Sequence, residues 1–185
     1  MSETTLEAIL TVARLQVQAH GYDGLNFRDI ASRVGIKAPS LYHHFPTKAA
    51  LGAAVARRYC ADMQAALDAV SQTDNAPCAC LLAYPGIFRK ALMRDNRICL
   101  ASFLSAQIDD LPEDLRPEIL RFIDINVTWL AKRLSAIEPE DVAVRRADAI
   151  YAAVAGAQLT ARSSGGVRRY DEIIASYRSV GLLPA

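Results

Sequence analysis

Two adjacent histidines, His43 and His44, sit in the stretch KAPSLYHHFPTK, which spans Lys37 to Lys48. Histidine pairs suit metal ligation or proton transfer, whereas lysines with a tyrosine suit a phosphate surface. The metal reading fails on spacing. Ligands on one helix face recur at i and i+4, neighbouring residues point about 100° apart, and no Cys, Asp or Glu lies between Ala38 and Ala50. Nucleophilic chemistry fares no better. Ser40 has both histidines nearby, but there is no Gly-x-Ser-x-Gly elbow and no third orienting group. No catalytic residue, metal site or cofactor is expected.

Sulfur is the other reactive element. Cys78-Ala-Cys80 can hold a soft metal or respond to oxidants, and Cys99, next to Arg97, can have a lowered thiol pKa. Two cysteines this close make a strained disulfide, and no histidine accompanies them. Small apolar residues near a helix start, and a buried inert thiol at Cys99, are the simpler reading.

The elements that must position these groups read as helices throughout. Hydrophobic residues make up 52% of the 185-residue chain but aromatics only 7%, so the core is aliphatic; Gly and Pro are few and clustered. Leu6, Ile9, Leu10, Ala13 and Val17 mark an amphipathic first helix that stops at His20-Gly21. Asn26 is placed to cap a second helix, with Asp29 completing a near capping box and Phe27, Ile30, Ala31 and Val34 facing inwards to Gly35. A third short helix follows, with Pro39 tolerated in its first turn, and Thr47 caps a fourth that runs through Leu51 to Val70. The polar segment at 71–77 breaks the chain. Beyond it the expected helices cover about 79–94, where Pro85-Gly86 imposes a kink or a later start, and about 96–109, capped by Asp95 or Asn96. A long helix then carries Pro117 in its first turns, another is opened by Pro139, and a last one covers about 167–181. No strand-period segment, repeat or low-complexity tract appears. No signal peptide and no apolar run of membrane-spanning length (about 18 residues) is visible. Four cysteines make no disulfide framework. A soluble cytoplasmic protein is predicted.

Helices two and three, joined by a tight glycine turn, form a helix-turn-helix candidate. Its third helix must enter the major groove, held from behind by Leu41 and Phe45, spaced i and i+4. Lys37, Ala38, Pro39, Ser40, Tyr42 and His43 are then left for the DNA side. Lys37 and Lys48 can neutralise flanking phosphates, Tyr42 and His43 can donate to phosphate oxygens, and Ser40 can reach bases or backbone. Between Asn26 and Lys48, Arg28, Arg33, Lys37 and Lys48 oppose only Asp29, a local +3 in a chain whose net charge is +1. Any nucleic-acid affinity must come from this patch.

The segment LNFRDIASRVGIKAPSLYHHFPTKAAL resembles the DNA-binding domain of the TetR (tetracycline-repressor) family of bacterial transcription regulators. Ile30-Ala31, Gly35-Ile36, Leu41-Tyr42, His44-Phe45 and Lys48-Ala50-Leu51 match the family pattern in order and spacing, and the likeness covers roughly residues 3–55. One departure stands out: many relatives carry a small hydroxyl residue that caps the recognition helix where this chain has Lys37.

The resemblance implies an all-α protein of about nine helices. A three-helix DNA-binding domain (1–48) would precede a helical effector-binding and dimerisation domain (49–185). It implies a homodimer through the last two helices, a double-stranded DNA operator, a small-molecule effector and a repressor's mode of action, with no membrane partner. In agreement, Ala149, Ala152, Ala153, Gly156, Ala157 and Thr160 fall along one broad helix face, and Ile173, Ile174, Tyr177 and Val180 give bulk to the last helix. Tyr84, Phe88, Met93, Phe103, Phe122, Trp129 and Tyr151 are the aromatic and thioether candidates for a ligand cavity, although such residues usually form core. Phe88, Phe103, Trp129 and Tyr151, with Asn126 as a polar anchor, are the expected ligand set. The alternatives are a thiol-based sensor on the same scaffold and a helical-bundle enzyme; no acid–base pair or phosphate loop supports the enzyme.

Overall fold

The computed structural model describes residues 3–184. Among them every regular element is helical: α1 (Glu3–His20), α2 (Phe27–Val34), α3 (Ala38–His44), α4 (Lys48–Thr73), α5 (Pro77–Met93), α6 (Leu100–Ser105), α7 (Arg116–Leu134), α8 (Glu140–Ser164) and α9 (Gly166–Ser179), with single 3-10 turns at Tyr22–Gly24 and Ile108–Asp110. The expected all-α architecture of about nine helices is therefore the observed one. No described helix is long and apolar enough to cross a membrane.

Two compact units share these helices. The first joins the chain up to Ala61 with Leu100–Phe122, and the second joins Asp62–Cys99 with the chain from Ile123 onward. The expected border at residue 48 falls inside the first unit, because the opening turns of α4 pack there: the Arg14 guanidinium lies 4.9 Å from the Tyr59 ring centroid, and Tyr59 stacks on Phe122 at 5.1 Å. Ile9, Ile30, Leu41, Leu51 and Leu115 are buried in its core, and α6 packs on α1.

In the second unit α5, α8 and α9 pack on one another. Gly165 and Gly166, with φ of 140° and 63°, turn α8 into α9 through backbone conformations that disfavour a side chain. Pro85 lies inside α5 rather than starting it, and the helix begins at Pro77. Proline removes one backbone donor and crowds the preceding turn, so neighbouring carbonyls need other partners. Arg178 Nη2 donates to Leu82 O at 3.1 Å, and the buried Tyr170 hydroxyl donates to Pro85 O at 2.9 Å. A second buried polar bridge runs through Gln158, which is fully buried. Its Oε1 accepts from Cys99 N–H and its Nε2 donates to Phe88 O, each at 2.6 Å.

Three local expectations are corrected. The helix expected over 96–109 is only Leu100–Ser105, and neither Asp95 nor Asn96 caps it. Both adopt left-handed backbone, φ 58° and 53°, and close α5 instead, with Asn96 N–H donating to Leu92 O at 3.1 Å. Asn and Asp tolerate that conformation better than other side chains do. The near capping box at Asp29 is not formed either. Asn26 N–H goes to the buried Gln16 amide oxygen on α1 at 3.1 Å, and the Gln16 amide NH₂ donates to Asp29. Val34 is half-buried rather than part of the fully buried stripe.

Candidate nucleic-acid interface and regulatory site

The reading head is built from short-range signals. Asn26 Oδ1 caps α2, accepting from Arg28 N–H at 3.0 Å and Asp29 N–H at 3.1 Å. At the other end Gly35 is left-handed at φ 77°, Ile36 N–H returns to Ala31 O at 3.0 Å and Gly35 N–H to Ser32 O at 3.2 Å. This paired closure is the Schellman arrangement. A Cβ at Gly35 would meet nothing within 4 Å, so the backbone angle alone calls for glycine there.

α3 starts at Lys37 with no side-chain cap; Lys37 O accepts from Ser40 N–H at 2.9 Å, and Pro39 fixes the first turn. The lysine side chain thus takes no part in organising the helix start. Leu41 is fully buried and Phe45 is 7% exposed, so these two hold α3 as their spacing predicts. Lys37, Pro39, Tyr42 and His43 are exposed, Ala38 and Ser40 half-buried, and Arg28 lies exposed on α2. His44 is half-buried, with a ring nitrogen that has no partner. Thr47 Oγ1 accepts from Ala50 N–H at 3.0 Å, capping α4.

Two features of this surface were not legible from spacing. The Tyr42 ring lies against Phe27, centroids 4.7 Å apart. Lys48 is engaged within the protein: its ammonium donates to Asp23 O at 3.1 Å, lies 3.5 Å from Asp23 Oδ1 and sits 4.8 Å from the Tyr22 ring centroid. Burial, and then the Asp23 charge, raise the Tyr22 pKa. The Lys48 side chain remains 35% exposed. Its ammonium is therefore tethered to the Tyr22–Gly24 turn.

The expected ligand set divides. Phe103 is half-buried in the first unit. Phe88, Asn126, Trp129 and Tyr151 belong to the second, where Tyr84 connects them. Its ring lies 5.5 Å from Phe88 and 5.9 Å from Trp129, Phe88 meets Tyr151 at 6.5 Å, and its hydroxyl donates to Asn126 Oδ1 at 3.0 Å. Burial drives the Tyr84 and Tyr151 phenols well above their ordinary pKa, with the nearby Cys99 adding to both. Trp129 alone of the set also lines an open polar cleft of about 600 Å³ between α4 and α7. All four cysteines are free thiols; Cys78 is exposed, while Cys60, Cys80 and Cys99 are buried. Among the described residues no group of three or more His, Cys, Asp or Glu side chains could hold a metal ion.

The pattern of "Bacterial regulatory proteins, tetR family" matches residues 9–55. Over nearly the whole chain, the fold superposes on a TetR transcriptional regulator from Legionella pneumophila, with a TM-score of 0.88 at 25% identity over 97% of this chain and 98% of that one. Residues 9–55 thus match the TetR-family pattern, on a chain with the fold of TetR-family regulators. A TetR-family regulator from Agrobacterium tumefaciens aligns with a TM-score of 0.84 at 25% identity, covering 92% and 94% of the two chains. The reduced form of NemR from E. coli shares the fold at 22% identity, with a TM-score of 0.81 and 98% of each chain covered. No curated protein sequence matches the chain. The fold, with the family's N-terminal region, supports a DNA-binding transcriptional regulator.

Proposed function

We propose that this TetR-family protein is a ligand-responsive repressor, bound as a homodimer to a palindromic operator and released by a small-molecule effector. The observation that carries the reading is the division of labour on α3. Leu41 and Phe45 are spent on anchoring, which leaves Lys37, Ala38, Pro39, Ser40, Tyr42 and His43 on or near the surface beside Arg28. A helix presented in this way suits the major groove, with Tyr42, His43, Arg28 and the tethered Lys48 for phosphates and Ser40 for base edges or backbone.

Dimerisation through α8 and α9 is supported by an exposed row of small side chains, Ala149, Ala152, Gly156 and Thr160, next to Leu159 at 53% exposure. A Cβ at Gly156 would meet nothing in its own chain, which leaves room for a partner backbone. Ala157 and Ile174 face inwards and belong to the protomer's own core. Effector binding in the C-terminal helices would act by tilting α4, which runs unbroken from Lys48 to Thr73, and so reset the spacing of two reading heads. Linkage requires that the effector weaken DNA binding by the factor by which DNA weakens effector binding.

The thiol-sensing alternative begins from Cys78, the one exposed cysteine. Measuring DNA affinity before and after peroxide, with Cys78→Ser and Cys99→Ser as controls, separates it from the small-molecule reading. A thermal-shift screen of metabolites tests the effector itself, since a ligand of the folded state raises the melting temperature.

A further inference from the structure

The stretch of α4 from Gln64 to Gln72, with Asn75 just past its end, and the stretch of α7 from Asp124 to Arg133 flank the cleft of about 600 Å³, a volume within the range of small-molecule sites. Two hydrogen bonds fix the relative direction of the helices. Trp129 Nε1–H donates to Ser71 Oγ at 3.1 Å, and Arg133 Nη1 donates to Asn75 Oδ1 at 2.7 Å. A step of four residues along α7 matches a step of four along the chain from Ser71 in the last turn of α4 to Asn75 beyond it, so the two segments run the same way here. Gln64, Asp68 and Asp124 therefore lie towards one end of the cleft, and Asn75, Lys132 and Arg133 towards the other.

Neither end neutralises the other. The Arg133 guanidinium rests 5.3 Å from the Trp129 ring centroid and is held by two neutral acceptors, Asn75 Oδ1 and Ser71 Oγ, both at 2.7 Å. Its Nε is buried without a partner, and each terminal nitrogen keeps one N–H to give. This is an oriented cation with no carboxylate of its own. At the opposite end Asp68 accepts only from the Gln64 amide, at 3.0 Å. Asp124 and Lys132 are exposed, and among the described residues neither meets an opposite charge. They stand eight residues apart on α7, or about 12 Å along the axis. Elsewhere this chain pairs its surface charges one turn apart, as in Arg145–Asp141 on α8 and Arg168–Glu172 on α9. Along the cleft opposite charges are kept out of reach of each other, with Ile125 and Trp129 between them.

The geometry points to a binding site for an elongated zwitterion, with an amine at the Asp68–Asp124 end and a carboxylate at the Arg133–Lys132 end. The separation required is about 10 Å, and the carboxylate takes the remaining N–H groups of Arg133. An ω-amino acid of about eight carbons and a three-residue peptide share this chemistry, at ~3.3–3.6 Å per extended residue. The site stands on the cleft alone; only its role as the effector site rests on the repressor reading.

Trp129 is the single tryptophan of the chain, so its emission reports the cleft directly. Titration with ω-aminooctanoate and with trialanine should give a saturable change for at least one, and which one responds separates the two sources. ω-Aminooctanamide, which lacks the carboxylate, and N-acetyl-ω-aminooctanoate, which lacks the amine, should each bind at least tenfold more weakly than ω-aminooctanoate. Lys132→Met and Asp124→Asn should each weaken the responding zwitterion about threefold or more without moving the melting temperature. No saturable change with either zwitterion, or equal binding of the singly charged analogues, overturns the site. If the zwitterion binds but leaves affinity for a selected DNA unchanged, the site stands and its role as effector site is rejected.

Discussion

The ring of Tyr42 lies against Phe27 with centroids 4.7 Å apart, so a residue left 54% exposed on α3 also clamps that helix to α2. Packing and the proposed DNA contact would then be combined in one side chain. Tyr42→Phe keeps the ring and removes the hydroxyl. It should leave the melting temperature unchanged while lowering operator affinity about fivefold, the loss of one hydrogen bond worth ~1 kcal/mol. Tyr42→Ala should in addition destabilise the fold by the ~0.5–1.5 kcal/mol of an aromatic pair. Unchanged DNA affinity in Tyr42→Phe would remove the hydroxyl from the interface.

Lys37 occupies the cap position of α3 without capping it. Lys37→Ser supplies the missing cap and removes a charge, so stability and affinity should move in opposite directions. Thermal unfolding should show a gain of ~0.5–1 kcal/mol. The log–log salt slope of DNA binding should fall by ~0.9 if the lysine contacts one phosphate. An unchanged slope with altered sequence preference would instead make Lys37 a base reader.

Gln158 satisfies Cys99 N–H and Phe88 O from the centre of α8. Gln158→Leu preserves bulk but removes both of these buried hydrogen bonds, and should cost about 1–3 kcal/mol in chemical denaturation. A loss below ~1 kcal/mol would mean that water replaces the amide.

Of the seven tyrosines, burial raises the phenol pKa of Tyr22 and drives those of Tyr84, Tyr151 and Tyr170 well above the ordinary value. Above pH ~10 the unfolded chain gives up these protons while the folded one keeps them, so the folded state binds more protons and stability falls as pH rises. Below pH ~10 both states are protonated and the groups contribute no slope. Absorbance titration near 295 nm should therefore show Tyr84, Tyr151 and Tyr170 ionising only with alkaline unfolding. Reversible ionisation of all seven in the folded state would contradict their burial.

The reading head was legible because its determinants are local: Asn26, Gly35, Pro39 and Thr47 each act within a few residues of themselves. Gln16 was not, since its amide serves Asn26 N–H from ten residues away across a turn. The failure at 96–109 has the opposite cause. Asp95 and Asn96 are as good at ending a helix in left-handed backbone as at capping one, and only the packing around them decides. The cleft was out of reach because Ser71 and Trp129, 58 residues apart, meet only once α4 and α7 lie side by side. The aromatic ligand candidates were recognisable as a cluster in part. Tyr84, whose hydroxyl occupies Asn126, connects Phe88 and Trp129, and that link is visible only in three dimensions.

The central claim is that α3 reads a specific DNA sequence in a symmetric pair. Selection of fragments from a genomic DNA pool by the full-length protein, sequenced after several rounds at about physiological salt, tests it most directly. The account predicts enrichment of one two-fold-symmetric motif, lost when Ser40, Tyr42 and His43 are replaced together by alanine. Recovery of no preferred sequence, or of the same sequences by that triple variant, would contradict it.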